Sequence, residues 1–375
     1  MYIVQRIISI AIFAFFTLVS AYKISITKND YRKIKIILIK YILFLCVISA
    51  LYIPAQTADL TRLRIFVEQT YSNMSFGKYL ETLRNTSTFT THTFYYIIAK
   101  LGLIQVMSIV PCFINYSIFS YIIYDYSKNK KINSSSVAKV FIFYLFMGQI
   151  VEVISGMRSM CSFSILFFCL YREFFKSKGI MSNLLFYLLA IGFHNAVVPL
   201  VIIRFMYLLI QKENKILKRC ANYLIFILLL VFSLKYGSTI LEATNTKAQT
   251  YLGSNIYSYF WTFLSTILTI ILIVYMYISN KEKIREKIPR NYRILFLIYI
   301  TIDSLFCFKE YSIFRRYCRV VVMLFLPILL EIFDSNSENL KKGIILKQNT
   351  IYYALNFLIF LIEASRGDLC GLRFL

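Results

Sequence analysis

Long apolar runs recur along the whole chain and are its most prominent pattern. Runs of about 18 or more apolar residues are long enough to cross roughly 30 Å of hydrocarbon. Within lipid every backbone N–H and C=O needs an internal partner, so these runs must be helical. A transmembrane β-barrel would instead show short segments of alternating polarity. The pattern therefore predicts an all-α, polytopic membrane protein with about twelve transmembrane helices.

The predicted helices form a single transmembrane domain over residues 1–375. The run at residues 181–210 is too long for one helix, and His194, Asn195 and Pro199 interrupt it, which predicts two short helices that meet at His194. Residues 55–92 are the longest non-spanning stretch, and helical repeats of apolar residues predict surface helices within it. The other spanning helices are predicted near residues 2–22, 34–54, 103–124, 137–155, 160–175, 223–240, 257–279, 294–308, 320–333 and 351–364.

Charge gives these helices an orientation. Lys and Arg concentrate in alternate short loops, which is the positive-inside pattern, and this places the N-terminus and residues 55–92 on the extracytoplasmic side. The net charge of +24 alone could suggest nucleic acid, but no basic amphipathic stripe with interleaved aromatics occurs, so no nucleic-acid partner is expected. With 59% hydrophobic and 16% charged residues, the composition instead indicates a lipid bilayer as the surrounding medium.

Asp59 and Arg62 lie at the start of the outer segment. Asp59 falls near the N-terminus of a predicted surface helix, where a carboxylate interacts favourably with the helix dipole. The same carboxylate could instead lie beside a reaction centre, and spacing alone leaves both interpretations open.

Arg158 and His194 are unusual polar residues at predicted outer turns. An arginine between two apolar helices costs a few kcal/mol unless it meets an anion or water. Glu152 is a structural candidate for that anion, and a lipid phosphate is a functional one, since guanidinium groups bind phosphate in bidentate geometry. His194 is one of two histidines, and both a structural and a catalytic role are open for it.

Arg315, Arg316 and Arg319 form the strongest exception to the positive-inside pattern. They are predicted in an outer segment that precedes the helix at residues 320–333, with Arg315 and Arg319 on one helical face. Clustered arginines repel each other unless an anion lies among them, and Glu310 is the only acid close in sequence. The alternatives are an anion site and snorkelling of the side chains to lipid headgroups.

No metal or cofactor is expected. The eight cysteines form no CxxC pair and are interpreted as small apolar core residues. No second histidine or carboxylate has metal-ligand spacing to His194. GxGxxG, Walker and GxSxG motifs do not occur in the sequence.

Four short motifs, in this order and spacing, resemble those of the EpsG/Wzy-type polysaccharide polymerases. The resemblance covers most of the chain but is diffuse. The chain departs from the family's usual pattern at two positions. Arg62 stands where the family often has a Tyr, and Asn195 stands where it often has a Ser. The motifs are Asp59-Leu-Thr-Arg62, Gly156-Met-Arg158, Phe193-His194-Asn195 and Phe314-Arg315-Arg316-Tyr317.

The resemblance implies a GT-C-like, metal-independent glycosyltransferase of the bacterial inner membrane. Such an enzyme joins undecaprenyl-pyrophosphate-linked oligosaccharide repeat units into O-antigen of lipopolysaccharide or a related surface polysaccharide, on the periplasmic or outer face. A chain-length regulator protein is a further partner that it implies. Asp59 or His194 is then the candidate base for the acceptor hydroxyl, and Arg62 orients substrate. Pyrophosphate, which gathers charge as the glycosidic bond breaks, would be bound by Arg158, Arg315, Arg316 and Arg319.

Two other functions fit a cationic outer face. A lipid-linked oligosaccharide flippase or transporter would also need a cationic cavity, but it should show internal repeats and charges spread along helices at mid-membrane depth. An O-antigen ligase would use the same donor and transfer the glycan to a lipid A core. The concentration of charge near one face favours an enzyme over a transporter.

Overall fold

The computed structural model describes residues 2–54, 58–147, 150–210, 256–306, 311–335 and 342–364. Every regular element in those residues is helical, which confirms the prediction of an all-α protein. Short 3₁₀ turns connect some of the helices. The α-helices are α1 Tyr2–Ser25, α2 Tyr31–Leu51, α3 Asp59–Tyr71, α4 Phe76–Arg84, α5 Phe89–Lys100, α6 Ile109–Lys130, α7 Ser134–Met147, α8 Ile150–Ser155, α9 Met157–Phe175, α10 Leu184–Phe193, α11 Val198–Ile210, α12 Ile256–Ser279, α13 Lys281–Lys287, α14 Arg290–Phe306, α15 Tyr311–Ser335 and α16 Lys342–Ala364.

The helix boundaries agree with the sequence patterns in most places, but the start of α15 differs in a way that changes the position of the arginine cluster. The run at residues 181–210 is interrupted as predicted, because α10 ends at Phe193 and α11 begins at Val198. The predicted helix at residues 223–240 lies outside the described residues. The helix expected at residues 320–333 begins at Tyr311, so the arginine cluster lies within α15 rather than in a preceding outer segment. Between Tyr311 and Pro327 the helix contains no Gly or Pro, so no residue there interrupts it.

The helix α15 forms the centre of the fold. It packs against α14, α12, α7 and α9. Nearly every side chain from Val320 to Phe333 is buried, which is typical of a helix that is apolar on all sides. Around this centre α6 and α10 pack on α9, α1 packs on α7, and α2 packs on α6.

Several helices are suited to a lipid environment. Within the described part of the chain, three are long and apolar enough to cross a membrane: Ile7–Ser25, Tyr31–Leu51 and Ile104–Lys130. A fourth candidate is the pair Phe263–Ser279 and Lys281–Lys287, which is bent by 77°. The shorter apolar helices are Ser134–Met147, Ile180–Phe193, Asn195–Leu209 and Asn349–Ile362. These helices indicate a membrane protein, and the total of about twelve spans stays a prediction.

A buried ion pair fixes α9, α10 and α11 to one another at the end opposite the helix break. Arg204 Nε lies 3.0 Å from Glu173 Oε2, and both side chains are almost fully buried. The Tyr187 hydroxyl donates to Glu173 Oε1 at 2.8 Å, and the Arg204 guanidinium lies over the Phe174 ring. Because a buried pair of this kind requires close geometry to offset desolvation, it sets the relative positions of the three helices.

Residues 58–100 fold into three short helices, of which α3 and α4 lie where short helices were predicted. Both α3 and α4 pack on α5, a helix that the sequence pattern did not indicate. Leu60 and Val67 are buried on α3, whereas on α4 Tyr79 is buried and Phe76 is exposed. The Tyr79 ring stacks on Tyr96 of α5 with centroids 4.2 Å apart. Helices α3 and α4 therefore pack on α5, which in turn packs on α10 next to the break between α10 and α11.

Candidate functional site

The start of α5 is attached directly to the break between α10 and α11. The Thr91 hydroxyl donates to the carbonyl of Phe193, the last residue of α10, at 2.7 Å. The Asn195 side-chain amide donates to the Ser87 hydroxyl at 2.8 Å. These two contacts hold the start of α5 against the residues around His194.

Substituting Gly192 tests how closely these two elements must approach. A Cβ at Gly192 would clash with Thr90 Oγ1 and would lie 2.7 Å from the Phe89 ring, so these side chains, or α5 with them, would have to shift. We expect Gly192→Ala to lower the free energy of unfolding by about 1–3 kcal/mol, as overpacking does. The measurement is thermal unfolding of the purified protein in detergent. Gly179 has open space around its Cα, so Gly179→Ala is the matched control, and equal melting temperatures for the two variants would contradict the packing described here.

His194 has a structural role at the break. Its backbone is extended, and its Nδ1 accepts the N–H of Ala196 at 2.9 Å, which caps the turn that leads into α11. A neutral imidazole whose Nδ1 accepts a hydrogen bond carries its proton on Nε2. The structural alternative for His194 is thus realised, while a catalytic role for it stays a prediction.

Arg158 lies in the first turn of α9, immediately after a tight turn. The N–H of Gly156 donates to the Glu152 carbonyl at 2.7 Å, and a Cβ at Gly156 would lie 2.8 Å from that oxygen, so glycine is needed there. The Arg158 side chain is half-buried. Among the residues that the structure describes, it has no ion pair. The structural pairing of Arg158 with Glu152 that the sequence suggested is therefore wrong, because Glu152 binds other arginines.

Glu152 pairs with two members of the arginine cluster instead. Its Oε2 lies 2.7 Å from Arg319 Nε, and its Oε1 contacts Arg315 Nη2. Arg319 also donates to the carbonyl of Met147 and is only 5% exposed. Sequence proximity pointed to Glu310, which lies outside the described residues, as the acid near this cluster. The carboxylate that meets Arg315 and Arg319 comes from α8, because folding brings the start of α15 against it.

The other residues of this turn of α15 connect the cluster to the helix break. The Tyr317 hydroxyl donates to the Ala196 carbonyl at 3.0 Å, and the Tyr317 ring packs edge-on against Phe163 of α9. Arg316 is half-buried, and no ion pair involves it within the described parts of the chain. The cluster and the break therefore belong to one packed region.

His92 is a residue that the sequence patterns did not single out. It lies on α5, half-buried, and its Nδ1 forms a hydrogen bond with the Tyr71 hydroxyl from α3. Burial is the main cause that lowers the pKa of His92, and the charge of Arg158 lowers it further. Burial likewise raises the pKa of Tyr95, also near Arg158, to about 12. His92 is the last residue of the stretch predicted as non-spanning, and none of the four motifs contains it, although it is one of only two histidines.

Asp303 on α14 is a second residue that the sequence patterns did not single out. Its side chain is fully buried, and neither carboxylate oxygen has a hydrogen-bond partner among the described residues. It interacts electrostatically with Arg319. A lone acid in an apolar run is itself a signal of function in membrane proteins, so the sequence contained the information that could have identified it.

Asp59 and Arg62 form an exposed ion pair on α3. Asp59 is the first residue of α3, and its Oδ1 lies 2.5 Å from Arg62 Nη2. Both side chains are more than half exposed. The geometry matches the interpretation of Asp59 as an N-terminal charge on a surface helix, and its assignment as a base is left as a prediction.

Three of the four motifs on which the family resemblance rests thus lie in adjoining elements. The Gly156 turn, the break at His194 and the first turns of α15 contact one another, and α5 adds His92. Arg158 and Arg316 carry positive charge without an ion pair in the described region, whereas Glu152 offsets part of the charge of Arg315 and Arg319. Such an arrangement can bind an anionic group and, through a neutral imidazole, accept a proton.

Comparison with known proteins gives one match. The family model of the EpsG family matches residues 69–366, which is more than half of the chain. The matched range begins after Asp59 and Arg62 and includes the other predicted site residues. Searches of curated proteins and of solved structures found no match.

Proposed function

The chain belongs to the EpsG family, and from that membership we propose that it polymerises a surface polysaccharide from lipid-linked repeat units. The family indicates a membrane-embedded glycosyltransferase with polysaccharide polymerase-like function. The proposed donor is a glycan on undecaprenyl pyrophosphate, and the proposed acceptor is the non-reducing sugar of an incoming lipid-linked repeat unit. The reaction would release undecaprenyl pyrophosphate on the periplasmic or outer face of the bacterial inner membrane.

The observation that carries this proposal is the arrangement around Arg158. A half-buried guanidinium without an ion pair in the described residues interacts electrostatically with His92, a half-buried histidine that is hydrogen-bonded to Tyr71. A leaving pyrophosphate gathers negative charge as the glycosidic bond breaks, and a fixed guanidinium stabilises that charge where it forms. The acceptor hydroxyl needs a nearby base at the same time.

The proposed roles follow from the charge of each residue and its partners. Arg158 and Arg316 would contact the pyrophosphate directly. Arg315 and Arg319 would add positive potential from the positions in which Glu152 holds them. No step in this scheme requires a metal ion. Asp59 and His194 are the base candidates that the sequence motifs imply, and Arg62 would orient the sugar.

The topology is part of the proposal. We assign about twelve spanning helices in a GT-C-like arrangement, with residues 55–92 and the Arg158 region on the extracytoplasmic side. This orientation follows from the distribution of Lys and Arg in the loops. A chain-length regulator protein is the proposed protein partner.

Deletion of the gene, followed by analysis of the surface glycan, tests the proposal against its rivals. Loss of a polymerase should leave single repeat units attached at the surface, and the plasmid-borne chain should restore long chains. Loss of a flippase would leave no surface glycan, and loss of an O-antigen ligase would leave long chains that are not attached to lipid A. Either of the last two results would overturn the assignment as a polymerase.

A further inference from the structure

We infer that His92 is the catalytic base, the residue that accepts the proton of the acceptor sugar hydroxyl. This inference rests on the proposed polymerase function and adds to it a residue that none of the four motifs contains. His92 lies on α5, inside the range that matches the family model. Three features of its surroundings carry the inference: its anchoring by Tyr71, its electrostatic interaction with Arg158 and its partial exposure.

The imidazole ring of His92 is held in place by aromatic neighbours. Its Nδ1 is hydrogen-bonded to the Tyr71 hydroxyl, and its ring centroid lies 6.0 Å from that of Tyr71 and 6.4 Å from that of Tyr95. Tyr71 and Tyr95 are buried, whereas His92 is half-buried. One nitrogen is therefore engaged with the protein, and Nε2 is the nitrogen that remains for a substrate.

The bond to Tyr71 suits a ring that gains and loses a proton. With the proton of the neutral ring on Nδ1, the N–H donates to Tyr71 Oη and leaves the lone pair of Nε2 available. Burial raises the pKa of Tyr71 to about 12, so its phenol stays neutral and its oxygen can accept this bond throughout. When Nε2 takes up a proton, the Nδ1–H bond persists and the ring keeps its orientation.

The charged and titratable groups that face His92 favour its neutral form. They are Tyr71 from α3, Tyr95 from its own helix and Arg158 from α9, and none of these described groups is an acid. On α4, Tyr79 lies beside Tyr71. The one titratable side chain of α10 is Tyr187, which lies near the start of that helix, away from the break at His194, and donates to Glu173. The lowered pKa agrees with this environment, since a base must be unprotonated before it can act.

The two base candidates from the sequence motifs are less suited to this role. His194 already accepts a backbone N–H at Nδ1, so its neutral form carries the proton on Nε2 and has no lone pair left to accept another. Asp59 is more than half exposed and is paired with Arg62 on the surface of α3. In the tautomer with the proton on Nδ1, His92 donates to Tyr71 and keeps the lone pair of Nε2 for a proton, and it interacts electrostatically with the guanidinium proposed to bind the leaving group.

The proposed step balances in atoms and charge. The acceptor hydroxyl oxygen forms a bond to the anomeric carbon of the donor, and its proton passes to Nε2 of His92. The bond between the anomeric carbon and the pyrophosphate oxygen breaks, and undecaprenyl pyrophosphate leaves with the electron pair beside Arg158. His92 returns to its neutral form when it releases the proton to water.

The pH dependence of polymerisation by the purified protein tests this inference. The substrate is the lipid-linked repeat unit extracted from a strain that lacks the gene. We expect kcat of the wild-type protein to fall as the pH decreases through the pKa of His92, which lies below its ordinary value of 6.5. His92→Gln should lower kcat by about 100-fold or more, with little change in KM, and should remove this acid limb. Tyr71→Phe should lower kcat about tenfold, because the ring loses its anchor.

Chemical rescue separates a catalytic role from a folding defect. Imidazole added to His92→Ala should restore part of the lost activity, which it would not do for a misfolded protein. If the His92 variants polymerise at the wild-type rate and keep the acid limb, or if imidazole gives no rescue, His92 is not the base. If the wild-type protein itself forms no polymer, the proposed function fails, which is a distinguishable result.

Discussion

Arg158→Ala should lower the rate of polymerisation about 100-fold or more while leaving the protein folded. Removing one fixed donor from a developing oxyanion typically costs a factor of about 10²–10³ in kcat. Arg158 has no ion pair in the described residues, so its removal breaks no ion pair among them. Arg158→Lys should keep part of the activity, because lysine keeps the charge but lacks the bidentate fork of arginine. The measurement is polymer formation from extracted lipid-linked repeat units by purified protein.

Arg172→Ala provides the matched control for Arg158→Ala. Arg172 lies on the same helix, α9, near the opposite end, where its guanidinium stacks over the rings of Phe168 and Phe186. Its loss should affect stability modestly and polymer formation little. Equal losses of activity in the two variants would argue against a specific role for Arg158. Full polymerisation by Arg158→Ala would show that Arg158 is not part of the active site.

Glu152→Gln should destabilise the protein by about 3–5 kcal/mol, the range measured when one partner of a buried ion pair is removed. Glu152 bridges Arg315 and Arg319, and Arg319 is only 5% exposed. Without the carboxylate, two adjacent guanidinium groups face each other with uncompensated charge. Unfolding of the purified protein in detergent, followed by circular dichroism, measures the change. Glu81→Gln on the exposed surface of α4 is the control and should be nearly neutral.

A double-mutant cycle distinguishes the ion pair from simple loss of packing. Because Arg319→Gln removes the partner charge, its combination with Glu152→Gln should cost clearly less than the sum of the single changes. Strictly additive effects would show that Glu152 and Arg319 contribute independently, which contradicts the contact between them.

Local sequence signals identified the turns of the site because those turns depend on neighbouring residues. Gly156 is required where a Cβ would meet the Glu152 carbonyl, and His194 with Pro199 interrupts a long apolar run. Both features are visible in a few consecutive residues, and both appear in the structure where they were expected. The spacing of Arg315 and Arg319 likewise places them on one helical face, and both contact the same carboxylate.

Partners that are distant in sequence could not be found in this way. Glu152 and Arg319 are 167 residues apart, and no local pattern reports that folding brings them together. Sequence proximity made Glu152 one candidate partner of Arg158, whereas in the structure Glu152 pairs with Arg315 and Arg319. His92 belongs to none of the four motifs, and its hydrogen bond with Tyr71 and its electrostatic interaction with Arg158 exist only in the folded chain.

Reconstitution of the purified chain in liposomes with extracted lipid-linked repeat units tests the central claim most directly. The products are separated by glycan length, and released undecaprenyl pyrophosphate is quantified. Our account predicts glycans of many repeat units, with one undecaprenyl pyrophosphate released for each linkage formed and no requirement for an added metal ion. Movement of intact repeat units across the bilayer without chain growth, or growth that occurs only when a lipid A core acceptor is supplied, would contradict it.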